Sequence, residues 1–485
     1  MGNELIQILP ARSNRRDCQA QSPAPAHGIF NSAATRQPPT KSKTFYIETF
    51  GCQMNVHDSE KVAGMLLAKG YRLVENYEDA DLVLYNTCSI REKAAQKVFS
   101  RLGAFRKNAD NRQRMIGVLG CVAQQEGERF FDRAPQVNLV CGSASYSRIS
   151  ELIDRLEAGE KRVTGLSLDT DECFETEITR RDNPFRAYIT IIEGCDKACT
   201  YCVVPMTRGP ERSRPSDKIL AEARRLVESG YTEIQLLGQT VNSYRDPAPA
   251  RLTFTELLLR IAEIPGLKRL RFTTSHPHDF TPDIVRAIES TPVLCDHIHL
   301  PVQCGSNRVL ERMRRTYTRE EYLEKISCIR SAKRAMSIST DIIVGFCGES
   351  EEDFEQTLSL IDAVGYDQVF SFKYSPRPNT DAGRMEDSVP EEEKGRRLMA
   401  LQERQRQIQL SRNQSLIGQE FEVLVEGFQP KLGQAIGRTT SNRIINFTGE
   451  AGWVGQYMNV RVTAAGPNSL VGVRADSGSG LCKPV

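Results

Sequence analysis

Cys195, Cys199 and Cys202 place three thiols within eight residues, immediately after an apolar run at 188–192 and the pair Glu193 and Gly194. Soft thiolates in such a group hold metal, and the spacing decides which. Gaps of three and then two residues match neither a zinc-finger pair nor either ferredoxin run, and a structural zinc would need a fourth ligand. Three thiolates can hold three irons of a cubane cluster and leave the fourth iron open. The competing readings are a zinc knuckle or three buried thiols, and free cysteines rarely crowd together in this way. A second set is scattered: Cys52, Cys88 and Cys121 each follow an apolar run with strand character. Cys141 ends a similar run at 137–140, so it competes for a place in that set.

These cysteines need a scaffold that brings strand ends together. Residues 44–49, 81–85 and 115–119 read as strands, with helical patterns at 59–69 and 92–106 between them. The β-α-β-α-β alternation predicts a parallel sheet, whose C-terminal strand ends lie along one edge where ligands bind. On such an edge Cys52, Cys88 and Cys121 converge. A polar linker is expected over residues 159–182, with Cys173 incidental inside it. Six β-α units then follow, with strands at 188–192, 233–237, 269–273, 297–300, 339–344 and 368–374. Their helices fall at 217–228, 253–264, 282–289, 307–313, 319–335 and 351–364. This series predicts a partial (β/α)6 barrel with its site at the C-terminal mouth, where the first loop carries Cys195. After a polar helix at 390–414, five short strands between 420 and 473 predict a small closed β-barrel. The expected fold is α/β throughout the first two domains: a parallel-sheet domain at 43–158, a barrel at 183–413 and a β-barrel at 414–476. An extension at 1–42 and a tail at 477–485 flank them.

The 485 residues carry a net charge of +2 and 14 cysteines. The balance of charge leaves no global basic footprint for nucleic acid, so RNA binding would rest on local patches. No apolar stretch reaches the roughly 20 residues of a membrane-spanning helix, and the N-terminus lacks the apolar core of a secretory signal. A cytoplasmic location is therefore expected. There the thiols stay reduced, which favours metal chemistry over disulfides. Residues 1–42 are rich in Ala, Ser, Pro, Gln and Arg without periodicity and are expected to stay unfolded.

The loop from Glu193 to Cys202 resembles the signature of the radical S-adenosylmethionine (SAM) enzymes. Phe50 to Asn55 with Asp58 to Glu60, Asn86 to Cys88 followed by Arg91 and Glu92, and Gly120 to Gln124 resemble the N-terminal domain of the methylthiotransferases within that superfamily. The run Thr207 to Pro215 is similar to their tRNA-directed members, and Gly437, Arg438, Asn442 and Arg443 resemble the TRAM domain appended to tRNA-modifying enzymes. Gln53 to Asn55 and Leu237 to Tyr244 look most like the branch acting on N6-dimethylallyladenosine, with Thr240 in place of the usual Asn.

The resemblance implies two 4Fe-4S clusters, an auxiliary one on Cys52, Cys88 and Cys121 and one on Cys195, Cys199 and Cys202 whose open iron chelates SAM. It implies methylthiolation of C2 of the modified adenosine at position 37 of tRNA, with two SAM molecules per turnover. One methylates a sulfur on the auxiliary cluster, and the other yields the 5′-deoxyadenosyl radical that removes the C2 hydrogen. No acid or base catalyst is expected. Cys141 has no fixed counterpart in the family. Gln239 and Gln303, polar residues after barrel strands, and Arg208 are the candidate SAM contacts. Cys304 and Cys347 replace a usual Ser and Pro. His297 and His299 read as barrel packing rather than metal ligands. The arginine runs at 312–319 and 396–406 read as solvated helix faces, with tRNA contact as the second reading. A monomer is expected, with tRNA as partner and unnamed donors of electrons and sulfur. The alternatives are a related enzyme acting on N6-threonylcarbamoyladenosine, one acting on an aspartate of a ribosomal protein, and a non-catalytic iron-sulfur RNA-binding protein.

Overall fold

In the computed structural model the described residues are 42–89, 92–107, 114–168 and 179–475. The expectations for the extension before residue 42, for the middle of the linker with Cys173, for Arg91 and for the tail fall outside them.

In chain order the first domain contains β1 (Thr44–Phe50), α1 (Gln53–Ala68), β2 (Arg72–Leu73), β3 (Leu82–Thr87), α2 (Glu92–Lys107), β4 (Met115–Gly120), α3 (Cys121–Glu126), α4 (Arg129–Arg133), β5 (Leu139–Cys141), α5 (Ile149–Glu157) and β6 (Val163–Gly165). The strands form one parallel sheet in the order β2-β1-β3-β4-β5-β6. All six residues of β3 are buried, because helices cover both faces. Successive side chains serve opposite cores: Leu82 and Leu84 pack with Phe45, Val62 and Ile153, while Val83 and Tyr85 pack with Val98, Val118 and Phe130.

α1 begins six residues before its expected start at 59. Its first turns bury Asn55, His57, Asp58, Glu60 and Lys61 with Met54 as the single buried apolar side chain among them, so no hydrophobic period marks them.

The barrel comprises β7 (Arg186–Thr190), β8 (Ile192–Glu193), α6 (Val204–Arg208), β9 (Arg212–Ser213), α7 (Ser216–Glu228), β10 (Glu233–Leu237), α8 (Phe254–Ala262), β11 (Arg269–Phe272), α9 (Pro282–Ser290), β12 (His297–His299), α10 (Asn307–Arg312), α11 (Arg319–Arg330), β13 (Ser337–Val344), α12 (Glu351–Val364), β14 (Gln368–Lys373) and α13 (Glu391–Gln414). The six expected barrel strands pair in two parallel triplets, β7-β10-β11 and β12-β13-β14. The Leu270 to Leu294 bridge, with bonds from Leu270 N to Val293 O (2.8 Å) and from Cys295 N to Leu270 O (3.0 Å), and the bond from Ser275 N to His299 O (3.2 Å) link them. Capping boxes at Thr253 with Glu256, Thr318 with Glu321 and Ser350 with Asp353 start three of the helices. α11 stops at Arg330, short of the expected 335, where Lys333 N instead donates to Glu289 and a turn feeds β13.

The last strands, β15 (Glu420–Gln429), β16 (Gln434–Thr439), β17 (Ile444–Thr448), β18 (Tyr457–Ala465) and β19 (Leu470–Arg474), close into a barrel in the order β15-β16-β17-β19-β18. It docks on the N-terminal strand ends of the larger barrel, away from the mouth. Arg269 of β11 donates to Arg438 O (2.7 Å) and Glu422 O (2.9 Å), and Arg271 donates to Thr439 O (2.7 Å).

Candidate metal centres and cofactor site

The register of the first sheet decides whether the scattered cysteines meet. Phe50 pairs with Thr87 and Thr87 with Gly120, so positions 51, 88 and 121 stand in line across three adjacent strands. Neighbouring strands lie about 4.8 Å apart. A Cβ at Gly51 would come within 2.9 Å of the Cys88 Cβ, so only glycine lets Cys52 and Cys88 crowd one edge. Cys52 precedes α1 and Cys121 opens α3, where helix N-termini favour a thiolate. A hydrogen bond with Cys88 is the largest influence on Cys52. Together with Arg208 and the backbone of α1 it outweighs burial and draws the thiol down to about 6.

Behind the cysteines, Asn55 and Asn86 explain why amides stand there. Asn55 Oδ1 accepts from Cys52 Sγ (3.3 Å), Asn55 Nδ2 donates to Asn86 Oδ1 (3.1 Å), and Asn86 Nδ2 donates to Ser59 Oγ (2.9 Å). Cys141 is held elsewhere. It is fully buried inside β5 among Leu152, Leu139 and Tyr146, its thiol near Gly142 O and Ser145 O, and burial pushes it up to about 12.

The contiguous loop is pinned from three sides. Cys195 N donates to Gly209 O (3.3 Å), Thr200 N to Met313 O (3.1 Å), and Ala382 N to Thr200 O (2.8 Å). Gly194 has φ +77°, and a Cβ on it would stand 1.9 Å from Pro210 O, so the turn into Cys195 requires glycine. Burial raises Cys195 to about 11 and Cys202 to about 12, so a metal binding here would displace their protons. Arg315 Nη1 donates to Cys199 Sγ at 3.3 Å. Among the described residues no three His, Cys, Asp or Glu side chains stand at single-ion spacing. Ligands of a multi-iron cluster, each on its own corner, are held wider than that.

The barrel mouth beside this loop presents polar atoms without protein partners. Gln239 Oε1 after β10, and Ser275 Oγ and His276 Nε2 after β11, are buried and unsatisfied within the chain. Gln303 sits at φ +72° in a buried bridge to Ile342, a strained backbone of the kind found at ligand sites. His276 Nδ1 accepts from His278 N (3.2 Å), and burial followed by Arg315 holds the imidazole down at about 2. The ring is therefore neutral, with Nε2–H facing the mouth. Thiolate donors on one loop and an unsatisfied polar rim suit a soft cluster with a polar ligand on it. A cleft of about 630 Å³ adjoins the mouth and shares Asp279 with the loop through the Lys197–Asp279 pair at 2.6 Å.

Arg208, expected beside SAM, is 4 % exposed and reaches into the first domain, where Nη2 donates to Asp58 Oδ2 at 2.6 Å. Its helix α6, which starts two residues after Cys202, packs on α3 and so joins the two cysteine sets. The arginine runs are spent within the chain. Arg314 pairs with Asp381, Arg319 donates to Gly305 O, Arg404 pairs with Asp362, and Arg315 is buried. His297 and His299 both meet Ser339 Oγ at 2.9 Å, as packing inside the barrel. Cys304 and Cys347 are fully buried. Sequence reasoning missed Arg315, which its arginine neighbours disguised as surface. It also gave no role to Asp58, though that residue stood within a quoted motif.

Three family models match the chain: "Uncharacterized protein family UPF0004" at residues 44–142, the radical SAM superfamily at 189–361 and the TRAM domain at 414–473. A tRNA-2-methylthio-N(6)-dimethylallyladenosine synthase of Solibacter usitatus is 64% identical over 437 residues, covering 89% of this chain and 98% of that protein. Proteins of the same name from Koribacter versatilis and Aquifex aeolicus are 59% and 45% identical, with the same coverage of each chain. Among solved structures, the radical SAM methyltransferase TsrM of Kitasatospora setae superposes with a TM-score of 0.53 at 14% identity, over 71% of this chain and 74% of that one. That likeness concerns the fold alone.

Proposed function

The chain belongs to the tRNA-2-methylthio-N6-dimethylallyladenosine synthase family of radical SAM methylthiotransferases, and from that membership we infer that it performs the family's reaction. It is an enzyme that methylthiolates C2 of N6-dimethylallyladenosine in tRNA, using two 4Fe-4S clusters and SAM. We place the target at position 37, in the anticodon loop, and the working enzyme as a cytoplasmic monomer. No helix among the described residues is long and apolar enough to cross a membrane.

The residue assignment is our proposal. Cys52, Cys88 and Cys121 hold the auxiliary cluster, and Cys195, Cys199 and Cys202 hold the one that binds SAM. When bound, the first supplies the sulfur to be transferred and the second the electron that splits SAM. The chain's own work is positioning. Gln239 offers a free acceptor, and Ser275 and neutral His276 offer free polar groups to the ligand at the mouth. Gln303 lines the same mouth. A C2–H bond has no acidic proton and its carbon no leaving group, so no side chain needs to act as acid or base. The working boundaries are 43–158 for the auxiliary domain, 183–413 for the radical SAM core and 414–476 for the TRAM domain, which we assign to tRNA contact.

The observation that carries this reading is the alignment of positions 51, 88 and 121 on one sheet edge, with α6 running from Cys202 onto α3. The test is anaerobic incubation of the cluster-loaded protein with SAM, a reductant and isopentenylated tRNA, followed by mass spectrometry of the nucleosides. The methylthio nucleoside should appear together with 5′-deoxyadenosine. Cleavage of SAM with an unchanged nucleoside would overturn the substrate, and a product on threonylcarbamoyl-bearing tRNA would favour the related enzyme.

A further inference from the structure

Six arginines are buried among the described residues: Arg208, Arg214, Arg269, Arg271, Arg315 and Arg397. Five of them meet a carboxylate, from Asp58, Glu222, Glu422, Glu233 and Glu349 respectively. Arg315 pairs with none. Its guanidinium, in the segment between α10 and α11, is instead surrounded by neutral groups and one thiol. Nε donates to Tyr317 OH (2.9 Å) and Nη2 to Pro301 O (3.1 Å), while Nη1 donates to Cys199 Sγ (3.3 Å) and Tyr201 OH (3.5 Å).

A guanidinium stays charged at any working pH, and burying one without an anion is strongly unfavourable. No carboxylate among the described residues stands beside it, and the sulfur it meets belongs to one of the three cysteines assigned to a cluster, whose negative charge when bound would supply the missing countercharge. A role in gripping the carboxylate of a small ligand fits less well. Four of the five N–H groups are engaged, which leaves no adjacent pair for a bidentate contact. The phenols of Tyr317 and Tyr201 fix the plane of the fork, and Tyr317 OH is itself anchored on Val302 O (2.9 Å).

We propose that Arg315 is a positioning residue that supplies the countercharge of the cluster on Cys195, Cys199 and Cys202, raising its reduction potential through the N–H to sulfur bond on Cys199. The proposal rests on the assignment of that loop to a cluster, made above. A cation and a hydrogen bond at a ligand sulfur both favour the more negative, reduced cluster, and such contacts are among the levers that set iron-sulfur potentials.

The test is an EPR-monitored redox titration of the full-length, cluster-loaded protein as wild type, Arg315→Gln and Arg315→Lys. The cluster of this loop is recognised by the change that SAM makes to its signal. Arg315→Gln is expected to retain wild-type iron while its reduction equilibrium falls about tenfold or more, a shift of about 59 mV to lower potential for one electron. Arg315→Lys, which keeps the charge but loses the planar fork, should fall between. A merely structural role would reduce iron content or SAM response and leave the potential of the remaining clusters unmoved. Unchanged potentials in loaded variants would overturn the proposal. If the variants do not load, the wild type labelled with 15N-arginine gives a second reading by ENDOR. Hyperfine coupling to an arginine nitrogen on the SAM-sensitive signal supports the contact, and its absence overturns it. A wild-type protein with no SAM-sensitive cluster would instead refute the assignment of the loop.

Discussion

At the scale of residues, we propose that a cysteine's place relative to the end of its strand separates ligand from filler. Cys88 and Cys121 lie one position beyond β3 and β4, whereas Cys141 is the last residue inside β5 and faces the core. Cys88→Ala is therefore expected to lower iron from about eight to about four atoms per chain, while SAM is still cleaved to 5′-deoxyadenosine and no methylthio nucleoside forms. Cys141→Ala should keep all the iron and lower stability by about 1 kcal/mol, read by thermal or denaturant unfolding of the apoprotein. Loss of half the iron in that variant would make Cys141 a ligand. The crowding of Cys195, Cys199 and Cys202 was legible because their spacing is local, and the convergence of Cys52, Cys88 and Cys121 because parallel strands share an edge. The role of Cys141 was not legible, since one residue of register decides whether a side chain lies inside a strand or past it. Arg315 was hidden for another reason: within Arg312, Arg314 and Arg319, nothing in the sequence distinguishes a buried guanidinium from solvated ones.

Among the elements, α1 ties the auxiliary site to the barrel with a buried polar face. Arg208 reaches Asp58, Lys61 stands 3.6 Å from Glu193 just ahead of the cysteine loop, and Glu60 accepts from the backbone at Asp182. Burial lifts Glu60 from 4.5 to about 7 against the pull of Arg181. Between those values the folded chain binds more protons than the unfolded one, so this group's contribution to stability is lost as pH rises from 4.5 to about 7. Glu60→Gln, which mimics the protonated form, should match the wild-type Tm near pH 4.5 and exceed it above about pH 7. A difference in Tm that does not change with pH would contradict this. The same face explains why the start of α1 escaped the hydrophobic pattern. The bounds of α12 were legible to the residue, and its start carries a chemical signal in Ser350 and Asp353.

For the whole molecule, the β-barrel at the C-terminus seals the floor of the larger barrel while the cysteines occupy its opposite end. Arg269, 1 % exposed, carries that contact through carbonyls of β15 and β16 and the Glu422 carboxylate at 3.1 Å. Arg269→Ala removes the buried donor to those carbonyls and should cost about 3 kcal/mol of stability. It should also weaken tRNA binding while SAM cleavage in the absence of tRNA persists. The order of the three parts was legible from the change of period along the chain, but their docking was not, because it runs through backbone carbonyls that no sequence pattern announces. We propose that one chain holds two cluster sites with separate tasks. The most direct test of this is the ratio of methylthio nucleoside to 5′-deoxyadenosine, measured by mass spectrometry in wild type, Cys88→Ala and Cys199→Ala under one set of anaerobic conditions. Wild type is expected to form both products, Cys88→Ala 5′-deoxyadenosine alone, and Cys199→Ala neither. Methylthio nucleoside formed by Cys88→Ala, or SAM cleavage persisting in Cys199→Ala, would contradict it.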